Sequence, residues 1–437
     1  MAEGLDRRID EYRAGMLRFT QELVRIPSIS GTPEEGEAQE VVIRELKAVR
    51  GMTLDVWEPT LRELNRYPLH PIRTAKWSYD GRPNVVGVLK GSGGGRSLLL
   101  NGHIDVVSPE PVSLWKKKPW GGEMIGGRIY GRGSMDMKGG LASMVFAVQS
   151  LAESGVKLRG DVILQSVVEE EFGGGGTVGA VVRGYEADAA IITEATSSDS
   201  VCIASGGSRF FNIRIIGKPE WPHLAHHGVN AIDLASKVYR SLMRLDKQRY
   251  DRLKGRHPLM ESHRAGGGKG PGRPTNMTIG TLAAGDWPAT VAGWAEMKGR
   301  VGFPPSEKGQ DVQKEVEETV RRAAEADPWM REHPPAVEWW GARREGYELS
   351  PDRDIVRALS RNVESVVGRC TLYGSSSASD AAYLAPRVGG FGGIPTVWYG
   401  PGGQGAHTFD EYVIADEVVE TAKVLARTII DWCGVAE

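Results

Sequence analysis

Apolar residues gather along this chain in short dense runs, set apart by glycine-rich or charged turns. Residues 98–100 are three leucines, and both faces of an extended chain there are apolar. That is the pattern of a strand covered on both sides. Residues 83–89, 161–168, 189–194 and 394–399 repeat it. Between these runs the period changes to that of a helix. Ile9, Tyr12, Met16 and Phe19 share one face near the start, and Leu141, Met144, Val145 and Val148 share one face after Gly139. Residues 6–50 read as helical, broken by a loop at residues 27–31, and residues 354–367 and 414–433 as further helices. Residues 58–82 are polar, hold three prolines and have no period, so a long loop or insertion is expected.

The style changes at Gly206-Gly207. Residues 208–216 alternate as a strand, 231–245 form a helix, 276–282 and 290–301 form strands, 306–326 a charged helix and 336–340 a strand. The order βαββαβ is that of a ferredoxin-like unit. Residues 251–275, rich in Gly, Lys, Arg and Pro, predict a mobile loop. From about residue 344 the first style returns. The expected architecture is α/β, with a mixed sheet flanked by helices in residues 1–205 and 344–437 and an inserted ferredoxin-like unit in residues 206–343.

Composition removes some functions. Among 437 residues, 54 basic side chains face 56 acidic ones, a net charge of −2. No basic excess points to nucleic acid or an anionic membrane. No apolar run approaches the ~18 residues of a membrane span. The charged start lacks the apolar core of a secretory signal, and Cys202, Cys370 and Cys433 lie too far apart to suggest a disulfide framework. A cytoplasmic protein is expected, and any metal would use nitrogen and oxygen ligands.

Candidate chemistry sits where the buried runs end. His103 and Asp105 follow the leucine run, at the carboxyl end of a strand, where open α/β sheets place ligands. Alternation puts them on one side of the chain, and a neighbouring carboxylate is how a metal-binding imidazole is oriented. A strand-end histidine beside a solvated aspartate is the plainer reading of that segment alone. Asp136 lies in a turn ahead of a helix, also an ordinary capping position. Glu169, Glu170 and Glu171 end the run 161–168, and three adjacent carboxylates repel unless a cation or protons offset them. Glu194 ends another strand, and His407 sits in a glycine-rich loop after a third. Two histidines with several carboxylates suit a pair of divalent ions sharing one carboxylate, the arrangement of two-metal hydrolases.

The motifs GHIDVV, GRGSMDMKGG, EEEFGG, TEAT and GPGGQGAH follow one another in this order. Through them nearly the whole chain resembles the M20 metallopeptidases, the group of acetylornithine deacetylase, succinyl-diaminopimelate desuccinylase, aminoacylase-1 and carboxypeptidase G2. The resemblance implies two divalent ions, zinc foremost, with cobalt or manganese suiting the same ligands. It gives His103 and Glu194 to one ion, Glu171 and His407 to the other, and Asp136 to both, followed by a cis peptide to Met137. It makes Asp105 the partner that orients His103. Glu170 becomes the general base, since residues 169–173 fit the family pattern in one frame only. Residues 206–343 become a lid that joins two copies into a homodimer. Asn276 and Arg300 match lid positions that contact a small substrate, often its carboxylate; a surface arginine on a strand edge is the alternative for Arg300.

One departure stands out. Trp221 occupies the position of the family's lid histidine, leaving His223 or His226 as its substitute. Trp115 and Trp120 stand near enough in sequence to the motifs to reshape a pocket or to serve as core. The implied reaction is hydrolysis of an N-acyl amino acid. The alternatives are a dipeptidase or carboxypeptidase, a C–N hydrolase acting on an aromatic amide or amine, and a non-catalytic binding relative.

Overall fold

The computed structural model describes residues 2–70, 77–262 and 272–436. At its centre is a nine-stranded mixed sheet. Strand Leu98–His103 lies between Val162–Val167 and Ala189–Ile192 and runs parallel to both. Thr396–Trp398 continues the parallel set beyond Ala189–Ile192. Asn84–Leu89 and Met52–Trp57 close one edge in antiparallel fashion. Ser200–Ser205, with Tyr347–Glu348 and Thr371–Ser375, completes the other side.

Every residue of Leu98–His103 and Val162–Val167 is buried, as the doubly apolar runs require. Helices Ala2–Arg25, Gly139–Glu153 and Ala415–Cys433 pack on one another. Gly139–Glu153 is buried on all sides from Gly139 to Leu151, not along one face. Ser143 Oγ stands within hydrogen-bond reach of two carbonyls, those of Gly139 (3.0 Å) and Val418 (2.8 Å). A Cβ at Gly140 would lie 1.8 Å from the Thr193 carbonyl oxygen. Only glycine lets this helix approach the strand end that carries Glu194.

The inserted unit has its own core. Its strands stand in the order Asn276–Ala284, Trp294–Phe303, Gly207–Ile216, Ala336–Arg344, all antiparallel. Helices Ala231–Leu253 and Gly309–Glu325 cover it, with Leu234, Val238 and Leu242 and Val312, Val316 and Val320 in one apolar cluster with Phe211, Ile213 and Ile215. This is the expected ferredoxin-like arrangement.

Several local expectations change. Met52–Trp57 and Ser200–Ser205 are strands that the apolar pattern did not reveal. The first is a partly exposed edge strand, whose weak pattern follows from having only one neighbour. The stretch 58–82 holds a short helix, Leu61–Leu64, closed by a capping box between Thr60 and Glu63; residues 71–76 lie outside the described residues. The predicted mobile loop 251–275 begins as the end of Ala231–Leu253 and contains the helix Pro258–Ser262; residues 263–271 lie outside the description. Among the described residues no helix is long and apolar enough to cross a membrane.

Candidate active site

The carboxyl ends of the central strands bring the candidate residues together. His103 is the last residue of its strand and is buried. Its Nδ1 lies 2.9 Å from the backbone carbonyl oxygen of Asp105. Donation there leaves Nε2 as the ligand atom. That Nε2 is 3.2 Å from Asp136 Oδ1 and 4.0 Å from Glu194 Oε1. The sequence reading gives the Asp105 carboxylate to His103. In the structure the backbone of Asp105 takes the imidazole, and the carboxylate, 3.6 Å from Nδ1, accepts the amides of Glu170 (2.9 Å) and Glu171 (3.1 Å). Asp105 thus locks the histidine strand to the glutamate turn.

Asp136 is presented by the turn ahead of Gly139–Glu153, and its bond to Met137 is cis. The turn is held by Glu411, which accepts the amides of Gly133, Met135 and Asp136 at 3.0–3.1 Å and pairs with Arg132 at 2.6 Å. The two Asp136 oxygens face different imidazoles: Oδ1 faces His103, and Oδ2 lies 3.4 Å from His407 Nε2. His407, in a left-handed backbone conformation and with its side chain 56% exposed, also reaches Glu171 Oε2 at 3.0 Å. Ligand atoms of His103, Asp136 and Glu171 all lie within 4.8 Å of one another.

One carboxylate spanning two imidazoles, with a further glutamate beside each, is a donor set that fits a pair of borderline divalent ions. The charges point the same way. Burial, with the charge of Asp136, pushes Glu194 up to about 8. Burial likewise holds Glu170 well above the carboxylate range, against the pull of Arg344. The charge of Glu171 raises His407. Burial works against a charged His103, yet the bond to Asp136 and the nearby carboxylates raise it. Crowded carboxylates of this kind are relieved by positive charge placed between them.

Glu170 is buried, and Arg344 Nη2 stands 2.7 Å from its Oε1. Arg344 also lies 3.2 Å from Asp380 Oδ1. Arg300 is on an interior lid strand, paired with Thr278 on one side and Phe210 on the other, which removes the strand-edge alternative. Its Nη1 donates to Asn276 Oδ1 at 2.7 Å. Burial, with the charge of Arg344, pushes Arg300 down to about 10. His223 lies in the exposed turn Pro222–His227, edge-on to the 70%-exposed Trp221. Trp115 meets Phe409, two residues beyond His407, at 6.5 Å between ring centres.

Arg344, Asp380 and Glu411 were not singled out by sequence. Arg344 sits in an Arg-Arg-Glu run that reads as a solvated face, Asp380 at the end of a serine-rich run, and Glu411 beside Asp410 in a loop. The one available signal was Arg132, a charge inside a glycine-punctuated motif that would need an acidic partner if buried.

Residues 99–431 match peptidase family M20/M25/M40. The chain is 31% identical to the N-formyl-4-amino-5-aminomethyl-2-methylpyrimidine deformylase of Halalkalibacterium halodurans, over 97% of this chain and 96% of that one. It is 33% identical to the deformylase of the same name from Bacillus subtilis, over 82% and 85%. Among solved structures, the di-peptidase Dug1p of Saccharomyces cerevisiae has a TM-score of 0.79 at 15% identity, covering 99% of this chain and 98% of that one. That likeness extends through the lid as well as the central sheet. A family match that runs from the strand carrying His103 past His407, together with relatives similar along almost the full length, establishes that this chain belongs to peptidase family M20/M25/M40 and is a hydrolase.

Proposed function

We propose that this enzyme hydrolyses the formamide of an N-formylated aminomethylpyrimidine, or of a closely related flat heteroaromatic amine, releasing formate and the amine. The observation that carries this reading is the similarity, over almost the whole of both chains, to the Halalkalibacterium halodurans deformylase. A run of aromatic rings beside the glutamate turn supports it: Trp77 on Phe172, Phe172 on Trp340, and Trp340 on Phe210. Phe172 directly follows Glu171, so the surroundings of the site favour a planar substrate.

His103, Asp136, Glu171, Glu194 and His407 are the residues that would hold two divalent ions, zinc foremost. When bound, such ions polarise a carbonyl and make water acidic enough to attack at neutral pH. Glu170 accepts the proton of the attacking water and delivers it to the amine nitrogen as the C–N bond breaks. Asp105 holds the backbone amides of Glu170 and Glu171, which keeps base and ligand in register. Two copies would join through the lid, where Trp221 and Trp287 are exposed, in a cytoplasmic setting.

A second reading, an N-acyl amino acid substrate, is favoured by Arg300 beside Asn276, since a guanidinium suits a carboxylate. One experiment separates them. Zinc-loaded enzyme is given the formamide of an aminomethylpyrimidine, N-acetyl and N-succinyl amino acids, and dipeptides, with and without chelator. Chelator-sensitive formate release from the first compound is expected. Turnover confined to compounds with a free α-carboxylate would overturn the formamide reading and leave the second.

A further inference from the structure

The last strand of the lid does more than finish its sheet. Along Ala336–Arg344 the pairing with Gly207–Ile216 slips: Trp340 faces Phe210, but Arg343 faces Arg209, so Gly341 and Ala342 are extra residues. Gly341 has φ of +65°, and a Cβ there would stand 3.4 Å from the Phe172 carbonyl oxygen. Glycine is therefore the residue that lets the bulge form beside the glutamate turn. A bulge re-aims the side chains that follow it, and here two consecutive arginines go to different partners. Arg343 donates to the backbone carbonyls of Pro68 (2.9 Å) and His70 (3.0 Å), in the insertion. Arg344 is buried and turns to the active site. Its Nη2 lies 2.6 Å from the backbone carbonyl oxygen of Glu170 and 2.7 Å from the carboxylate of the same residue. Asp380 Oδ1, at 3.2 Å, is its third partner.

The turn is otherwise held by its backbone and by Tyr79, whose hydroxyl donates to the Glu169 carboxylate. Asp105 accepts the amides of Glu170 and Glu171, and Glu35 accepts the amide of Glu169 at 2.9 Å. None of these contacts fixes the direction of the Glu170 side chain. We propose that Arg344 is the positioning residue of the Glu170 carboxylate, held in turn by Asp380, so that the lid strand decides where the general base stands. The proposal rests on the reading of Glu170 as that base. All three partners meet the one Nη2: the Glu170 carbonyl and Asp380 take its hydrogens, and the Glu170 carboxylate pairs with its charge at 2.7 Å, whereas an ammonium is a point charge on a flexible stem. Charge-assisted bonds in a buried setting make the placement stiff.

The test is kcat, KM and zinc content for Arg344→Ala and Arg344→Lys, with crystal structures of both. The Ala variant should keep its zinc and its KM, lose kcat by about 100-fold as expected for a misplaced reacting group, and regain part of it with added guanidinium ion. The Lys variant should fall between it and the wild type. In the crystals the Glu170 carboxylate should turn away while its amide stays on Asp105. Wild-type kcat in Arg344→Lys with an unmoved carboxylate would overturn the proposal. So would loss of zinc with no guanidinium rescue, which would make Arg344 a structural support. Should Arg344→Ala not fold, the Lys variant carries both readouts. Should the wild type turn over no compound in the panel, the functional reading fails, and the crystallographic position of Glu170 still decides the role of Arg344.

Discussion

Strand Leu98–His103 of the central sheet is buried at every residue, whereas the lid's edge strand Asn276–Ala284 buries Met277 and leaves most of its length half or fully exposed. The difference follows from how each sheet is connected. Parallel neighbours need crossovers that cover both faces, so the polar residues inside these strands are uncharged and paired, as Asn101 is with Gln165 at 3.0 Å, and charge waits for the strand ends. His103 and Glu194 stand at or just beyond those ends, and Glu170 and Glu171 follow the end of a third strand. An antiparallel sheet needs no such cover, and the lid presents side chains along its strands: Asn276, Arg300 and, after the bulge, Arg344. The central sheet supplies a fixed floor of ligands, while the lid supplies groups whose placement depends on strand register.

The sharpest way to probe the floor is its chemistry. Glu170→Gln should lower kcat by about 10²–10⁴-fold, the usual worth of a general base, with zinc content unchanged by atomic absorption. A wild-type rate would remove Glu170 from that role.

Packing gives the next largest effect. Leu100→Ala, at a fully buried position, should cost about 2–5 kcal/mol of unfolding free energy in urea. Leu282→Ala, at a side chain 55% exposed in the lid, should change stability by no more than about 0.5 kcal/mol. A large loss at Leu282 that grows weaker on dilution would mean that a second copy covers the edge.

A smaller loss than at Leu100 tests local structure. Asn230 caps Ala231–Leu253 by accepting the amide of Ile232 at 2.9 Å. Asn230→Ala should cost about 1 kcal/mol, and Asn230→Ser should recover most of it, as read by thermal unfolding. Equal losses in the two would show that the cap contributes nothing.

Strands with long apolar runs announced themselves because burial on both sides favours that composition, whereas Ser200–Ser205, buried from Val201 onward but bounded by serines, did not. Long helices did so through their period: residues 354–367 were read at the bounds that Asp354–Val367 occupies. The ligand candidates were legible because charge at the end of an apolar run has few other uses. Edge strands were not. Met52–Trp57 includes Asp55, which pairs with Arg183 at 3.0 Å, and a strand with one neighbour needs no strict pattern.

His103, Asp136, Glu170, Glu171, Glu194 and His407 were singled out by residue type and by motif order, both properties of the chain alone. Their supports were decided by the folded molecule. Arg344 lies 174 positions from Glu170, and Glu411 lies 275 from Asp136. Neither residue differs by type from the solvated charges around it. What singles them out is burial, and burial depends on which distant segments pack together. A side chain's chemistry is carried by one residue, whereas the partner that holds it in place is chosen by tertiary packing, through a bulge at Gly341 or a loop brought back under a turn.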